Sequence, residues 1–181
     1  MDRDQAVTTS TLRRTPFHSF HVERGAKLVD FTGWEMPLHY GSIIDEHLHV
    51  RSVGGVFDVS HMGRLRFVGR DARKFLDLVC TRQILGMQDG QARYGLICNK
   101  QGGCRDDVLV YRFAEHEYLM VCNAANRAKL IEHFGEVRGD MVFEMRDETE
   151  STAMVALQGP TVMDRIAAYS AVLAVELSGV V

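Results

Sequence analysis

Two runs in the middle of this chain, Asp106 to Phe113 and Tyr118 to Cys122, alternate apolar side chains along β-branched and aromatic stretches and are joined by the polar Ala114 to Glu117. That pattern is a β-hairpin, so the pairing is antiparallel, and it limits what the rest of the chain can fold into. Further strand patterns cover Lys27 to Phe31, Val56 to Val68, Tyr94 to Cys98, Val142 to Met145 and Met154 to Gln158. Helical patterns lie between them: Pro16 to Arg24, ended by Gly25; a helix opened by Ser42 with Asp45 three residues on, Ile44 and Leu48 on one stripe, and Gly54 and Gly55 as terminator; and one from Asp71 with Ala72, Phe75, Leu76 and Val79 on one face. Another starts near Asn126 and buries Leu130, Ile131 and Phe134, and the last begins at Pro160 with Met163, Ile166 and Ala167 facing inward. Such an order predicts an α+β fold with helices packed on a largely antiparallel sheet. Residues 1–14 are polar and aperiodic and read as a disordered lead-in, leaving one domain over 15–181.

Composition narrows the function classes. With 181 residues and 46% apolar content, the chain can build a packed core. A formal charge of −3, with both signs interspersed, offers no basic stripe for a nucleic-acid backbone. No apolar run approaches the roughly 20 residues needed to cross a bilayer, and no cleavable leader opens the chain. The expectation is a soluble, unexported, cytoplasmic protein without nucleic-acid or membrane partners. Cys80, Cys98, Cys104 and Cys122 form no CxxC pair and read as free thiols rather than metal ligands or disulfides.

Three short patches combine polar chemistry with special backbone: DFTGWEMPLHY (Asp30 to Tyr40), FDVSHMG (Phe57 to Gly63) and GGCRDD (Gly102 to Asp107). In the first, Gly33, Trp34 and Pro37 read as a stiff irregular passage whose Trp34 and Met36 either wall a pocket or pack in the core. In the second, a Ser/His/Asp triad fails on geometry, because Ser60 and His61 point to opposite faces of a strand and Asp58 stands beside Ser60 instead of beyond the imidazole. His47 and His49 are two apart on a helix, which does not suit zinc pairing. In the third, two glycines turn the chain tightly into a strand. Asp106 then shares a face with Val108 and Val110, and Asp107 with Leu109, Tyr111 and Phe113, so only one carboxylate can look into a given pocket. It can bind a basic nitrogen or accept a proton, or it can cap the turn, and spacing does not choose between the two aspartates.

Taken together, VDFTGWEMPLHYGS (Val29 to Ser42), the DEH run (Asp45 to His47), GVFDVSHMG (Gly55 to Gly63), ARYGLICN (Ala92 to Asn99), GGCRDDVLVYR (Gly102 to Arg112), VCNAANR (Val121 to Arg127) and ALQGP (Ala156 to Pro160) resemble the aminomethyltransferases, the T-proteins of the glycine cleavage system. The resemblance runs from about Thr15 to about Ile166. It implies transfer of the one-carbon unit from aminomethyl-lipoyl H-protein to tetrahydrofolate as cosubstrate, with release of ammonia. It also implies that the first aspartate of the turn, Asp106, is catalytic, orienting a folate amine and stabilising the positive charge that develops there. The matching folate-lining positions are Met62, Tyr94, Val108, Val121 and Asn123. Two departures stand out. Cys104 and Arg105 occupy positions that are usually apolar in the family, with Arg105 either in solvent or paired with Asp107. The family's later GYTGE-containing segment and further β-rich domain are absent, so the chain resembles an N-terminal part whose folate site needs a further segment or a second chain, and the apolar Ala171 to Val181 would need cover. A folate-binding or regulatory module without turnover, or another folate-dependent transferase or demethylase of the superfamily, are the alternative expectations.

Overall fold

The computed structural model describes residues 11–167. The chain forms two compact units, Met1–Leu48 and His49–Val181. The apolar Ala171 to Val181 lies outside the described residues.

In the first unit, helix α1 (His18–Glu23) ends where Gly25 takes φ 71°. Strands β1 (Lys27–Phe31) and β2 (Trp34–His39) form an antiparallel hairpin closed by the pair Phe31 and Trp34. The stretch from Trp34 is therefore a strand and not an irregular passage. Its two turn residues, Thr32 at φ 53° and Gly33 at φ 81°, both sit in the left-handed region that a two-residue hairpin turn demands, and the Asp30 carboxylate accepts a hydrogen bond from Gly33 N at 2.9 Å. Trp34 and Met36 are buried, and the Arg13 guanidinium lies 5.1 Å from the Trp34 ring. Arg13 also pairs with β2 through backbone bonds to Gly33 and Glu35, although it falls in the span expected to be a disordered lead-in.

Helix α2 (Ile43–Ser52) is capped as expected, with Ser42 Oγ accepting from Asp45 N at 3.2 Å. Its apolar stripe is not covered within the described residues: Ile44 is 71% exposed and Leu48 57%. His47 and His49 are both exposed.

The second unit holds the main core. The expected strand Val56 to Val68 is two strands in different sheets, β3 (Gly55–Asp58) and β4 (Gly63–Val68), separated by a turn in which Met62 N donates to Val59 O. β3 pairs with β9 (Val155–Gln158). β4 enters a five-stranded antiparallel sheet in the order β5 (Ala92–Cys98), β6 (Cys104–Ala114), β7 (Glu117–Cys122), β4, β8 (Glu144–Asp147). The β6–β7 hairpin read from the sequence is the middle of this sheet. One sheet face carries Leu65, Phe67, Ile97, Val108, Val110, Tyr118 and Met120 and packs in a single cluster with α3 (Ala72–Val79) and α4 (Arg127–Val137). α3 buries its four expected residues, while α4 buries Leu130 and Phe134 and leaves Ile131 partly covered. The final helix α5 (Val162–Ala167) buries none of its residues, and Met163 is exposed.

At the centre of the cluster, the Phe75 ring lies 4.7 Å from Phe143, 5.6 Å from an edge-on Phe134 and 5.9 Å from a stacked Phe67, centroid to centroid. Aromatic rings at such separations add to the free energy of their burial. Phe75→Ala should therefore destabilise the second unit by about 3–5 kcal/mol, read as a lowered urea midpoint at unchanged slope.

Candidate functional site

The chemistry of the GGCRDD segment is set by how β6 begins. Asn99 ends the approach from β5 and folds its side chain into the turn, with Oδ1 accepting from Gln101 N at 3.0 Å and Gly103 N at 2.8 Å, and Gly102 turning at φ 82°. β6 then runs straight through both aspartates. Pleating sends them to opposite faces of the sheet, and the environments differ sharply.

Asp106 is 3% exposed and faces the helix-packed side. Its carboxylate accepts from Asn123 N at 2.9 Å, Asn123 Nδ2 at 2.9 Å and Asn126 Nδ2 at 2.6 Å. All three donors are neutral amides, and they tie the start of β6 to the segment leading into α4. Val108, on the same face, is 2% exposed and belongs to the hydrophobic core.

Asp107 is exposed on the other face. The Tyr94 phenol lies beside this carboxylate, and desolvation together with that negative charge pushes the phenol above its ordinary value. Asn123 Nδ2 donates to Asp107 Oδ1 at 2.9 Å. The one amide nitrogen therefore places a hydrogen on each aspartate, since Asp106 Oδ1 lies at the same 2.9 Å.

Strand register extends this second face. Tyr94 pairs with Leu109, Leu109 with Val121 and Val121 with Arg64, giving a row across four strands; Ala92, Tyr111, Leu119 and Arg66 form the next row. Tyr94 is 58% exposed and Phe113 is also open, so an apolar, partly aromatic surface borders the Asp107 carboxylate.

One end of that surface is closed by Arg64, which is buried although it carries a charge. Its guanidinium donates to the carbonyls of Ser60 (3.0 Å), Met62 (2.7 Å), Thr149 and Thr152 (3.0 Å), and Nε donates to Thr152 Oγ1 at 2.7 Å. Burial pushes it below its ordinary value, with Asp147 and Asp58 acting in the opposite sense. These bonds hold the Val59 to Met62 turn against the loop after β8. Ser60 Oγ donates to Met154 O at 3.1 Å and accepts from Met154 N at 3.0 Å, so the hydroxyl is a structural tie, as the rejection of a triad requires.

The expected site set is thus divided. Tyr94 and Val121 share a face, Asn123 bridges to both aspartates, and Met62 stands on the turn held by Arg64. Val108 does not join them, because even spacing along β6 puts it in the core, and Asp106 is on Val108's side. The companions of Tyr94 and Val121 are Asp107, Leu109 and Tyr111. That grouping depends on the register shift at the start of β6, where Cys98 pairs with Cys104 but Ile97 with Asp106; without it Tyr94 would stand opposite Val108, and sequence spacing does not reveal it. Asn126 and Arg64 carried no signal either, since their roles depend on contacts that sequence spacing does not specify. Arg105 makes no ion pair with Asp107 among the described residues; its charge acts on His133 instead. Among the described residues no cluster of three metal-ligating side chains occurs, and no helix is long and apolar enough to cross a membrane.

Asp106→Asn sets an amide nitrogen or a neutral oxygen against three donors, and should lower stability by about 2 kcal/mol in chemical denaturation. A pH effect also follows. Burial pushes the His61 imidazole below its ordinary value, with Asp58 opposing, and burial together with Arg105 does the same for His133. The unfolded chain then binds protons that the folded chain refuses, so stability should be full above about pH 6.5 and fall as pH drops below it. Denaturation midpoints from pH 8 to pH 5 check this, and His61→Gln should flatten the slope.

Comparison with known proteins gives a consistent answer. The family described as the GCVT N-terminal domain matches residues 17–178. The aminomethyltransferase of Rubrobacter xylanophilus is 49% identical over 155 residues, covering 86% of this chain and 41% of that protein. That of Thermus thermophilus is 44% identical over 149 residues, 82% of this chain and 43% of its own length. The crystal structure of glycine cleavage system aminomethyltransferase T from Bartonella henselae superposes with a TM-score of 0.82 at 31% identity, over 87% of this chain and 43% of that one. The chain therefore spans about two fifths of the length of the curated relatives it matches.

Proposed function

Because this chain belongs to the GCVT N-terminal domain family, we propose that it supplies the folate-facing sheet of an aminomethyltransferase, with Asp107, rather than Asp106, as the working carboxylate. The reaction is transfer of the one-carbon unit of aminomethyl-lipoyl H-protein to tetrahydrofolate, with release of ammonia.

The carrying observation is the placement of Asp107: an exposed carboxylate at the border of an apolar, aromatic sheet face, with its orientation held by Asn123 and the Tyr94 ring beside it. A flat, amine-bearing ring system such as tetrahydrofolate suits this surface, because Tyr94, Leu109 and Tyr111 offer broad apolar contact while the carboxylate meets a nitrogen. Tetrahydrofolate supplies the nucleophilic amines. Asp107 orients such an amine, accepts its hydrogen bond and stabilises positive charge beside it, an effect that strengthens when a bound molecule excludes water. Asn123 keeps the carboxylate oxygen in place before substrate arrives. Met62, held through its carbonyl by Arg64, borders the same face and offers an adaptable sulfur contact. Asp106 is a structural carboxylate in this reading, since its oxygens are already occupied by buried amides. The segments that complete the relatives' length, on this chain or a second one, would supply the remaining walls, and the setting is cytoplasmic.

Calorimetric titration with tetrahydrofolate, in the presence of a separately made C-terminal segment of a relative where the chain alone does not bind, tests the assignment. Asp107→Asn should weaken binding at least about tenfold, and aminomethyl transfer from lipoylated H-protein more, at unchanged melting temperature. Full binding and transfer by Asp107→Asn, with loss confined to a still-folded Asp106 variant, would return the role to Asp106.

A further inference from the structure

The turn end of the β5–β6 hairpin holds a feature that folate chemistry does not use. Cys98 on β5 and Cys104 on β6 are direct cross-strand partners. Asn99 N donates to Gly103 O at 2.9 Å, which makes Asn99 and Gly103 a hydrogen-bonded pair, so the adjacent Cys98 and Cys104 are a non-hydrogen-bonded pair. Residues so paired have Cα atoms about 4.5 Å apart and side chains on one face, inside the range of about 4.4–6.8 Å that a disulfide spans. The register shift between Ile97 and Cys98 leaves Arg105 as the extra residue of a bulge, which ends regular pairing at the cysteines and loosens their surroundings.

Access separates this pair from the other thiols. Cys104 is exposed and Cys98 half-buried, whereas Cys80 and Cys122 are buried and pushed up to about 12 by that burial. Thiolate formation, and with it nucleophilic reactivity, is thereby suppressed at the buried pair. The intervening turn is held closed by the Asn99 side chain, so joining the sulfurs requires little rearrangement of the backbone. The Cys104 sulfur makes only a weak contact, 3.5 Å to Asp106 O.

We propose that Cys98 and Cys104 are a modification site: a vicinal cross-strand dithiol that a peroxide converts to an intramolecular disulfide. The thiolate of the more exposed Cys104 attacks the peroxide, forming an S–O bond as the O–O bond breaks and releasing hydroxide, which takes up a proton. The Cys98 sulfur then attacks the sulfenic sulfur; the S–S bond forms, the S–O bond breaks and water leaves. Two thiols lose two electrons and two protons, and one peroxide becomes two waters. The bond lies next to the segment that carries both aspartates, so it would rigidify the start of β6.

The reduced chain, treated with one equivalent of hydrogen peroxide and analysed by intact mass and peptide mapping, tests this. The expected result is loss of the mass of two hydrogens, a peptide joining Cys98 to Cys104, and reversal by dithiothreitol. Without peroxide, iodoacetamide should label these two cysteines at least about tenfold faster than Cys80 and Cys122. Cys98→Ser and Cys104→Ser, each with the parent's melting temperature, should give no crosslinked peptide. A Cys98 to Cys80 link, or sulfinic products with both thiols unlinked, would overturn the proposal.

Discussion

Two neighbouring residues on a strand cannot face the same way, and the second unit is organised around the resolution of that constraint at Asp106 and Asp107. One carboxylate goes into the interior, where an unpartnered charge would be far too costly, and three amide donors make it tolerable. Those donors come from the segment between β7 and α4, so satisfying Asp106 also sets where α4 begins and how Leu130 and Phe134 reach the sheet. The other carboxylate is left on the open face. What is usable at Asp107 thus depends on what is consumed at Asp106.

The opposite end of the same face depends on a second buried charge. Arg64 replaces the carboxylate partner that an interior guanidinium commonly has with four carbonyls and a hydroxyl. Carbonyls in turns have no ladder to satisfy them, and here one side chain gathers those of two separate loops. The break between β3 and β4 is made possible by this arrangement, because the Val59 to Met62 turn would otherwise leave polar backbone against the sheet.

Much of this was legible in the sequence, and what was not had identifiable causes. The β6–β7 hairpin, the buried stripe of α3 and the Ser42 cap follow local rules, and the structure bears them out. The stripe of α2 obeyed the same periodicity and stays exposed among the described residues, since periodicity reports a capacity for burial and not the presence of a surface to bury against. Val56 to Val68 was read as one strand because every residue in it tolerates extended backbone; its division depends on Ser60 and Arg64 finding partners some 90 residues away, beyond the reach of any local rule. At the site, family likeness chose Asp106, whereas cross-strand register grouped Tyr94 with Leu109 and hence with Asp107.

The Asn123 side chain has one more property. Amide oxygen and nitrogen are nearly the same size, and a half-turn about the last bond usually exchanges them at little cost. Here that rotation would bring the oxygen up against two carboxylates at once, so both aspartates select the same rotamer. Asn123 is in this sense a clasp across the sheet, one nitrogen that sets the spacing of two carboxylates which the strand points apart.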